Sequence, residues 1–451
     1  MATATATRPR TQKLAPFVDS VEILRAPLFH TPGNTFENPG NLIALYDGAL
    51  AIQAGRVAAC GDYIAVRAQY PDAAVRDLRD GCILPGLIDT HAHFPQVRIL
   101  GALGLSFPEW LETRALPEEA RLADTAHARV VAREFVQGLA SHGTTTALVF
   151  GSHFAEATAE LFNAADHHGL RVTSGLVLSD RGLWPSLCHA PEIALSDSRL
   201  LIENFRDKAR LRYAVIPRFA PSTSEAMLEV CQTLLRENPG LLFTTHINES
   251  PAEIAEVLQA FPGAADYLAV YEKFDLVGPR SVLAHNVHVT DAELARLAER
   301  QAAIAHCPCS NAALGNGIFP LQRHLNAKVR FALGSDVGAG TGFGILREAL
   351  QAGLMQRVAR EPVVLTSAQL LWMATRAGAE ALSMADEIGD FTPGKAADLV
   401  YIKPAAGTPL HAVLTHTEDP ERMLNAVITL AGAESVCEVR VEGDVVYEGK
   451  P

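Results

Sequence analysis

Three things are scarce in this 451-residue chain: long apolar runs, excess positive charge and paired cysteines. No apolar run approaches the roughly 20 residues of a membrane-spanning helix, so a membrane protein is not expected. The net charge of −13 argues against nucleic acid or an anionic membrane surface as the main partner. The seven cysteines are scattered and odd in number, which favours reduced thiols and a cytoplasmic location over a disulfide scaffold.

Several common catalytic motifs are also missing. The chain has no G-x-S-x-G nucleophile elbow and no G-x₄-G-K-[ST] phosphate loop. The stretch "VGAGTGFG" (337–344) does not match G-x-G-x-x-G, and its glycines are expected to let the backbone turn closely beside Asp336. Cys307 and Cys309 form a C-x-C rather than the C-x₂-C of a zinc knuckle, so this pair gives little support for a metal site.

Short apolar segments that predict strands recur through the middle of the chain and alternate with helical patterns. One such pattern, "TDAELARLAERQ", begins with Thr290 and has Glu293 three residues later, which predicts a capping box. Another helix is expected to end at Gly169. The predicted strands are 83–91, 144–150, 171–178, 212–219, 241–247, 281–287, 302–308 and 329–336. Eight strand–helix alternations predict an α/β fold of the (β/α)₈ TIM-barrel type.

The two ends of the chain have a different pattern. The segments "GALAIQAGRVAACGD" (48–62) and "EVRVEGDVVYEGK" (438–450) predict hairpins that turn at Gly55 and at Gly443–Asp444. We therefore expect a small β-sandwich domain built from both termini, beside the barrel. The expected division is a flexible tail at 1–14, the composite β domain at 15–84 and 388–451, and the catalytic barrel at 85–387.

The stretch "ILPGLIDTHAHFPQ" (83–96) is an apolar strand that ends in two histidines. Positions i and i+2 of a strand point the same way, so His91 and His93 can direct two imidazole nitrogens at one point. Active sites of such barrels lie at the carboxyl ends of the strands. Other predicted strands end in the chemically capable residues Arg218, His246, His285, His306 and Asp336.

Four of these side chains together offer three neutral nitrogens and one carboxylate: His91, His93, His246 and Asp336. This set leaves a position for water, as a catalytic zinc site requires. Glu249, three residues after His246, is placed to carry the proton of that water, although a surface glutamate that caps the next helix is the alternative. His285 could orient or deprotonate the water or be a further ligand, whereas His306 is expected to pack. The remaining candidates expected at the surface or in loops are His153, His167, His168 and His288.

One metal ion per chain is expected rather than two. Two-metal sites of this architecture usually need a bridging group, often a carbamylated lysine on a central strand. Lys208 is the only lysine between His93 and His246, and it lies in a helical stretch before a strand.

Six motifs resemble, in order, those of the guanine deaminase family of the amidohydrolase superfamily: "PGLIDTHAHFPQ", "PRFAPS", "HINES", "LAHNVHV", "AHCPCSN" and "LGSDVGAGTGFG". The resemblance implies zinc on His91, His93, His246 and Asp336, and proton transfer by Glu249. It also implies a homodimer, and guanine contacts by Gln96, Arg218 and Phe219. In the resulting site His246, Glu249 and Asp336 lie beside the substrate, and the catalytic groups are Glu249, His285 and Asp336. Cys309 departs from the family pattern.

The implied reaction is hydrolytic deamination of guanine at C2, which yields xanthine and ammonia. Arg218 offers donors to the O6 and N7 acceptors, Gln96 can both donate and accept, and Phe219 can stack on the ring. The alternatives are a deaminase of a related ring such as 8-oxoguanine or a pterin, and a cyclic-amide hydrolase. A third alternative, from another class, is a catalytically silent scaffold that binds partner proteins.

Overall fold

The computed structural model describes residues 20–449, and the tail expected at 1–14 lies outside them. Within this range eight parallel strands follow one another around a barrel, in sequence order, and a ninth, Val177–Leu178, pairs at the side. The eight strands are Leu87–His93, Thr144–Phe150, Arg171–Gly175, Leu211–Pro217, Leu242–Ile247, Ser281–His285, Ala303–His306 and Arg330–Leu333. The predicted TIM-type barrel is confirmed.

Side-chain and backbone hydrogen bonds join the first barrel strand to the last. Thr90 Oγ1 donates to the carbonyl of Leu333 at 2.8 Å, and the backbone N–H of Asp336 donates to the carbonyl of His91 at 2.8 Å. The buried carboxylate of Asp89 accepts from the backbone N–H groups of both Ser335 (2.9 Å) and His91 (3.1 Å). These contacts set the register at the point where the barrel closes, which is where the predicted ligands lie.

A second sheet of eight strands combines both ends of the described chain, which confirms the expected composite β domain. Its central contact pairs Leu399–Ile402 with Cys82–Pro85 in antiparallel register. The strands, in chain order, are Glu22–His30, Ile43–Gln53, Arg56–Asp62, Ala74–Asp77, Cys82–Pro85, Leu399–Ile402, Val436–Val441 and Asp444–Glu448. Apolar side chains from both ends, including Leu24, Leu50 and Leu399, share one buried cluster on this sheet.

Both predicted hairpins are present, and their turns contact each other. Gly55 (φ +77°) and Gly443 (φ +77°) lie in the left-handed region, which glycine enters without steric cost. A side chain on Gly55 would lie 2.4 Å from the carbonyl oxygen of Glu442 in the other turn. Between the turns, Ala397 donates to Gly55 O and accepts from Gly443 N–H. The two termini are therefore joined at their turns as well as along their strands.

The prediction of a single strand at 83–91 was wrong. The structure divides this apolar run at Gly86: Cys82–Pro85 belongs to the β domain and Leu87–His93 to the barrel. A Cβ at Gly86 would lie 2.1 Å from Thr145 Oγ1, so the chain passes between the two sheets through a space that only glycine fits. Sequence pattern does not reveal this division because both halves are buried and apolar.

Most of the longer helices surround the barrel and bury one apolar face. Thr125–Ser141, for example, buries Val131, Phe135 and Leu139, which recur every four residues. Thr290 and Glu293 form the predicted capping box, and Gly169 (φ +88°) ends its helix as predicted. The longer helices are Thr125–Ser141, Ala155–His168, Pro191–Phe205, Glu225–Glu237, Pro251–Ala260, Asp291–Glu299, Ile345–Arg357, Ser367–Ala374, Pro409–His416 and Pro420–Leu430.

Shorter helices fill the connections at both ends of the barrel and, for Tyr63–Gln69, the connection between two strands of the β domain. They are Tyr63–Gln69, Phe107–Trp110, Leu116–Ala120, Tyr267–Glu272, Pro308–Ala313, Leu321–Ala327 and Arg376–Ala381, with a π-helical turn at Leu111–Ala115. No helix within residues 20–449 is both long enough and apolar enough to cross a membrane. Pro409–His416 and Pro420–Leu430 interrupt the C-terminal strands, and the proposed domain boundaries at 84/85 and 387/388 stay predictions.

Candidate active site

The four predicted ligands converge at the carboxyl ends of the barrel strands. The Nε2 atoms of His91 and His93 lie 3.3 and 3.4 Å from Oδ1 of Asp336. Nε2 of His246 lies 3.3 Å from Nε2 of His93. Donor atoms that each lie about 2.0–2.1 Å from one tetrahedrally coordinated ion are separated by about 3.3 Å. The spacing of this set therefore fits a single small cation.

The chemistry of the donors also fits a metal. His91 is fully buried, yet within residues 20–449 neither of its ring nitrogens makes a hydrogen bond. Nδ1 of His246 donates to the carbonyl of Arg218 at 2.6 Å, which leaves Nε2 free to bind an ion. Burial and the neighbouring imidazoles lower the pKa of His93 to about 3 and that of His246 well below its usual value. Both rings are thus neutral, the form that binds metal.

The carboxylate of Asp336 is ionised despite its burial. Burial opposes ionisation, but the imidazoles of His91, His285 and His93 outweigh it and hold the pKa of Asp336 well below its usual range. Asp336 (φ +48°) and His285 (φ +73°) both lie in the left-handed region, which is costly for residues other than glycine. Such strain at two strand ends is typical of a functional site.

Glu249 and His285 face each other inside the site. Nε2 of His285 lies 3.7 Å from Oε2 of Glu249 and 3.9 Å from Oδ2 of Asp336. Burial, followed by the charge of Asp336, raises the pKa of Glu249 to about 8. Because Glu249 is only 3 % exposed, the alternative of a surface glutamate is wrong. A carboxyl group that titrates near neutral pH is suited to proton transfer.

Two asparagines from one segment, 309–317, orient this pair. The ring of His285 donates from Nδ1 to Oδ1 of Asn311 at 3.0 Å, which turns Nε2 towards the site. Nδ2 of Asn316 donates to Oε1 of Glu249 at 2.7 Å, which leaves Oε2 on the side of His285. Sequence reasoning did not identify either asparagine, because neither lies at the end of a predicted strand.

The predicted substrate contacts line one cavity beside the ligand set. Phe107 and Trp110, from the connection after the first barrel strand, line it as well. The predicted residues in its wall are Gln96, Arg218, Phe219, His93, His246, Glu249, His285 and Asp336. The fold thus brings the whole predicted set together, with His91 packed against His93 and His246.

Glu119, which contacts the lining residues Gln96 and Arg218, is the main residue near the cavity that sequence reasoning missed. Its two oxygens accept from Nη1 of Arg218 at 2.7 and 2.8 Å, and Oε1 also accepts from Nε2 of Gln96 at 2.7 Å. His153 was expected at the surface or in a loop; it does lie in a loop, but it is buried with Nε2 3.3 Å from Glu119. The ion pair with Arg218 stabilises the buried carboxylate of Glu119, whereas burial lowers the pKa of His153.

The other histidines play no part in this cavity. His306 is buried and stacks on Phe319 with the ring centroids 4.3 Å apart, so its predicted packing role agrees with the structure. His288 donates to the carbonyl of Asn316 at 2.6 Å. His167 and His168 end the helix Ala155–His168, away from the site.

The chain matches the amidohydrolase family model over residues 82–446. It is 52 % identical to a probable guanine deaminase of Deinococcus radiodurans over 433 residues, which cover 95 % of this chain and 99 % of that protein. It is 37 % identical to the guanine deaminase of Escherichia coli over 92 % of this chain and 95 % of the relative. The solved structure of the E. coli enzyme superposes with a TM-score of 0.90 and covers 95 % of this chain.

Proposed function

The chain belongs to the amidohydrolase family, and from this membership we propose that it is an enzyme that hydrolyses guanine to xanthine and ammonia. The observation that carries the proposal is the composition of one cavity wall. A three-histidine, one-aspartate donor set, a buried glutamate and an arginine–glutamine pair all face the same space. This wall therefore contains residues suited to water activation, to proton transfer and to purine recognition.

We propose one zinc ion per chain, held by His91, His93, His246 and Asp336. When bound, zinc supplies Lewis-acid activation of a water molecule, whose pKa falls to about 7. Neutral imidazoles, an ionised carboxylate and the donor spacing support this choice. Within residues 20–449 the groups of clustered potential ligands all lie at this one centre, which supports a single ion.

Glu249 carries protons between water and substrate. Its free Oε2 takes the proton from the water that attacks C2 of guanine and delivers it to the neighbouring ring nitrogen. Glu249 then takes the remaining proton from the new hydroxyl on C2 and delivers it to the amino group, which leaves as ammonia as the C2–N bond breaks and the C2 carbonyl forms. His285, fixed by Asn311, holds the attacking water in line with C2 and stabilises its developing charge.

Arg218, Gln96 and Phe219 select and orient the purine. Arg218 donates to the O6 and N7 acceptors of guanine, as arginine does to this base in general. Oε1 of Gln96 has no partner within residues 20–449 and accepts from a donor on the pyrimidine edge of guanine. The ring of Phe219, which is only 7 % exposed, packs against the purine face and excludes water.

The test is a substrate panel scored by ammonia release, with guanine, 8-oxoguanine, a pterin, adenine and a cyclic amide. We expect guanine to have the highest kcat/KM. A higher kcat/KM for 8-oxoguanine or the pterin would reassign the substrate, and hydrolysis of the cyclic amide would reassign the reaction. No turnover of any compound by zinc-loaded protein would favour the scaffold alternative.

The expected homodimer and cytoplasmic location are proposals that rest on the family resemblance and on the cysteines. All seven cysteines are free thiols in the structure, and burial raises the pKa of Cys60 and Cys82 to about 12. Light scattering tests the oligomeric state, and fractionation of the source cells tests the location.

A further inference from the structure

Glu119 is a buried carboxylate that the proposed reaction does not use directly. It comes from the short helix Leu116–Ala120 and is 2 % exposed. Its three nearest polar neighbours come from separate parts of the barrel: Arg218 at 2.7 Å, Gln96 at 2.7 Å and His153 at 3.3 Å. Two of these three neighbours are the proposed purine contacts.

The contact with Glu119 decides which end of the Gln96 amide is available. An ionised carboxylate only accepts hydrogen bonds, so Gln96 must turn its amide nitrogen towards Glu119. The other end, Oε1, is buried and without a partner among residues 20–449. A Cβ at Gly338 would lie 2.1 Å from this oxygen, so the backbone packs closely against it and keeps the amide group in this position.

The same carboxylate fixes Arg218. Both oxygens of Glu119 accept from a single guanidinium nitrogen, Nη1, and no hydrogen bond joins the other guanidinium nitrogens to side chains within residues 20–449. Arg218 also lines the cavity, so its remaining N–H groups are available to a ligand there. Burial opposes ionisation of Glu119, but the charges of Arg218 and His153 outweigh it and hold the pKa of Glu119 below its usual range.

We propose that Glu119 is a positioning residue that sets the hydrogen-bond polarity of the purine site, with donors at Arg218 and an acceptor at Gln96. The inference rests on the proposed function. Guanine presents the complementary pattern, acceptors at O6 and N7 and donors at N1–H and the 2-amino group. A ring without O6 and N1–H loses one acceptor for Arg218 and one donor for Gln96, and a site with unpaired buried polar groups binds such a ring less tightly.

A merely structural role for Glu119 is the alternative, since its ion pair also anchors a short helix. The neighbouring residue Glu118 provides a matched control. It lies on the same helix, is 8 % exposed and pairs with Arg121 at 2.9 Å and His127 at 3.5 Å. It has no contact with Gln96 or Arg218, so Glu118→Gln removes a similar ion pair without changing the purine wall.

The experiment compares wild type, Glu119→Gln, Glu119→Asp and Glu118→Gln as zinc-loaded proteins. KM and kcat are measured for guanine, and the inhibition constant is measured for 2-aminopurine, which lacks O6 and N1–H. In Glu119→Gln the amide of Gln96 can reverse and Arg218 loses its fixed partner. We expect KM for guanine to rise about 10- to 100-fold with a smaller change in kcat, as for loss of matched polar contacts.

The inhibition constant of 2-aminopurine should change by a smaller factor than KM for guanine, because this ring keeps N7 and the 2-amino group but offers neither O6 to Arg218 nor N1–H to Gln96. Glu119→Asp keeps the charge and should recover part of the guanine affinity, and Glu118→Gln should leave both constants as in wild type. Equal losses for guanine and 2-aminopurine, or the same pattern in Glu118→Gln, would overturn the inference.

Folding and metal content are checked by thermal melting and elemental analysis of each variant. If Glu119→Gln does not fold, Glu119→Asp decides alone: an unchanged ratio of guanine KM to the 2-aminopurine constant contradicts the proposal. Failure of the proposed function is seen separately, because it would leave the wild type without guanine deamination before any variant is compared.

Discussion

The side-chain amide of Asn316 donates a 2.7 Å hydrogen bond to Oε1 of Glu249, and both groups are buried. The backbone carbonyl of Asn316 accepts in turn from the ring of His288 at 2.6 Å. This second hydrogen bond fixes the backbone that carries the side-chain amide. One oxygen of Glu249 is therefore occupied and the other faces His285. The carboxyl group is oriented before any substrate arrives.

We predict that Asn316→Ala lowers kcat about 10-fold or more while KM changes little, because Glu249 loses its fixed orientation but no substrate contact is removed. Steady-state kinetics with guanine measure the effect. Asn326→Ala is the control, since Asn326 makes an exposed side-chain hydrogen bond with Gln322 at 2.8 Å. A large rise in KM with unchanged kcat would instead place Asn316 in substrate binding.

Glu249→Gln should remove most activity and leave the fold and metal in place. The carboxamide keeps the shape and can still accept from Asn316, but it cannot transfer protons. The loss expected for general acid–base catalysis is about 10²- to 10⁴-fold in kcat. Near-normal turnover in a variant with full metal content would show that another group carries the proton.

Gly338→Ala should weaken guanine binding far more than Gly342→Ala. Both glycines have positive φ, +118° and +149°, so an alanine strains the backbone at either position. Only at Gly338 would the new Cβ collide with Gln96, 2.1 Å from Oε1, whereas nothing lies within 4 Å at Gly342. KM for guanine is measured in the two variants and reports the collision with Gln96. Their melting temperatures report the backbone strain, which both variants share. Equal KM values would contradict the role of Gln96.

Removal of the metal should abolish activity reversibly. We expect protein treated with a chelator to lose turnover, and one equivalent of zinc per chain to restore it. Thermal stability should fall as well, since the ion binds only the folded protein and the buried ring of His91 loses its metal contact. Elemental analysis of protein purified without chelators measures the content, and two tightly held ions that are both needed for turnover would contradict the single site.

His30 should make the stability of the protein fall at acidic pH. It is buried at the end of the strand Glu22–His30 in the β domain, and its Nδ1 accepts from the backbone N–H of Phe391 at 3.3 Å, so it must be neutral. Burial lowers its pKa to about 4, with opposing contributions from Asp390 and Lys395. Because the unfolded chain binds the proton at about pH 6.5, the stabilisation is complete above that pH and is lost as the pH falls to about 4.

The difference between the two pKa values means that His30 changes the free energy of unfolding by up to about 3 kcal/mol between neutral and acidic pH. Urea unfolding of wild type and His30→Gln at pH 7 and pH 4.5 measures it. The free energy of unfolding should fall more between these pH values in wild type than in the variant. Parallel losses in the two proteins would show that other groups cause the acid sensitivity.

The sequence alone determined the barrel and most of the cavity wall. The segment 144–150 was predicted as a strand, and the structure has Thr144–Phe150 there. The pattern that predicts a strand lies within a few consecutive residues. Parallel strands in a closed barrel bring their carboxyl ends together irrespective of the conformation of the intervening loops. Residues read from those ends, such as His246 and Asp336, therefore lie close together as soon as the strands are correctly assigned.

Only the tertiary structure decided which partners hold those residues. Glu119 lies in a short helix with no strand pattern near it, and its pairing with Arg218 joins positions 99 residues apart. The contact of Asn316 with Glu249 and the division of an apolar run at Gly86 were likewise decided only by the tertiary structure. A buried carboxylate has no local signature that separates it from a surface one, because its charge is stabilised by groups that reach it only when the barrel closes.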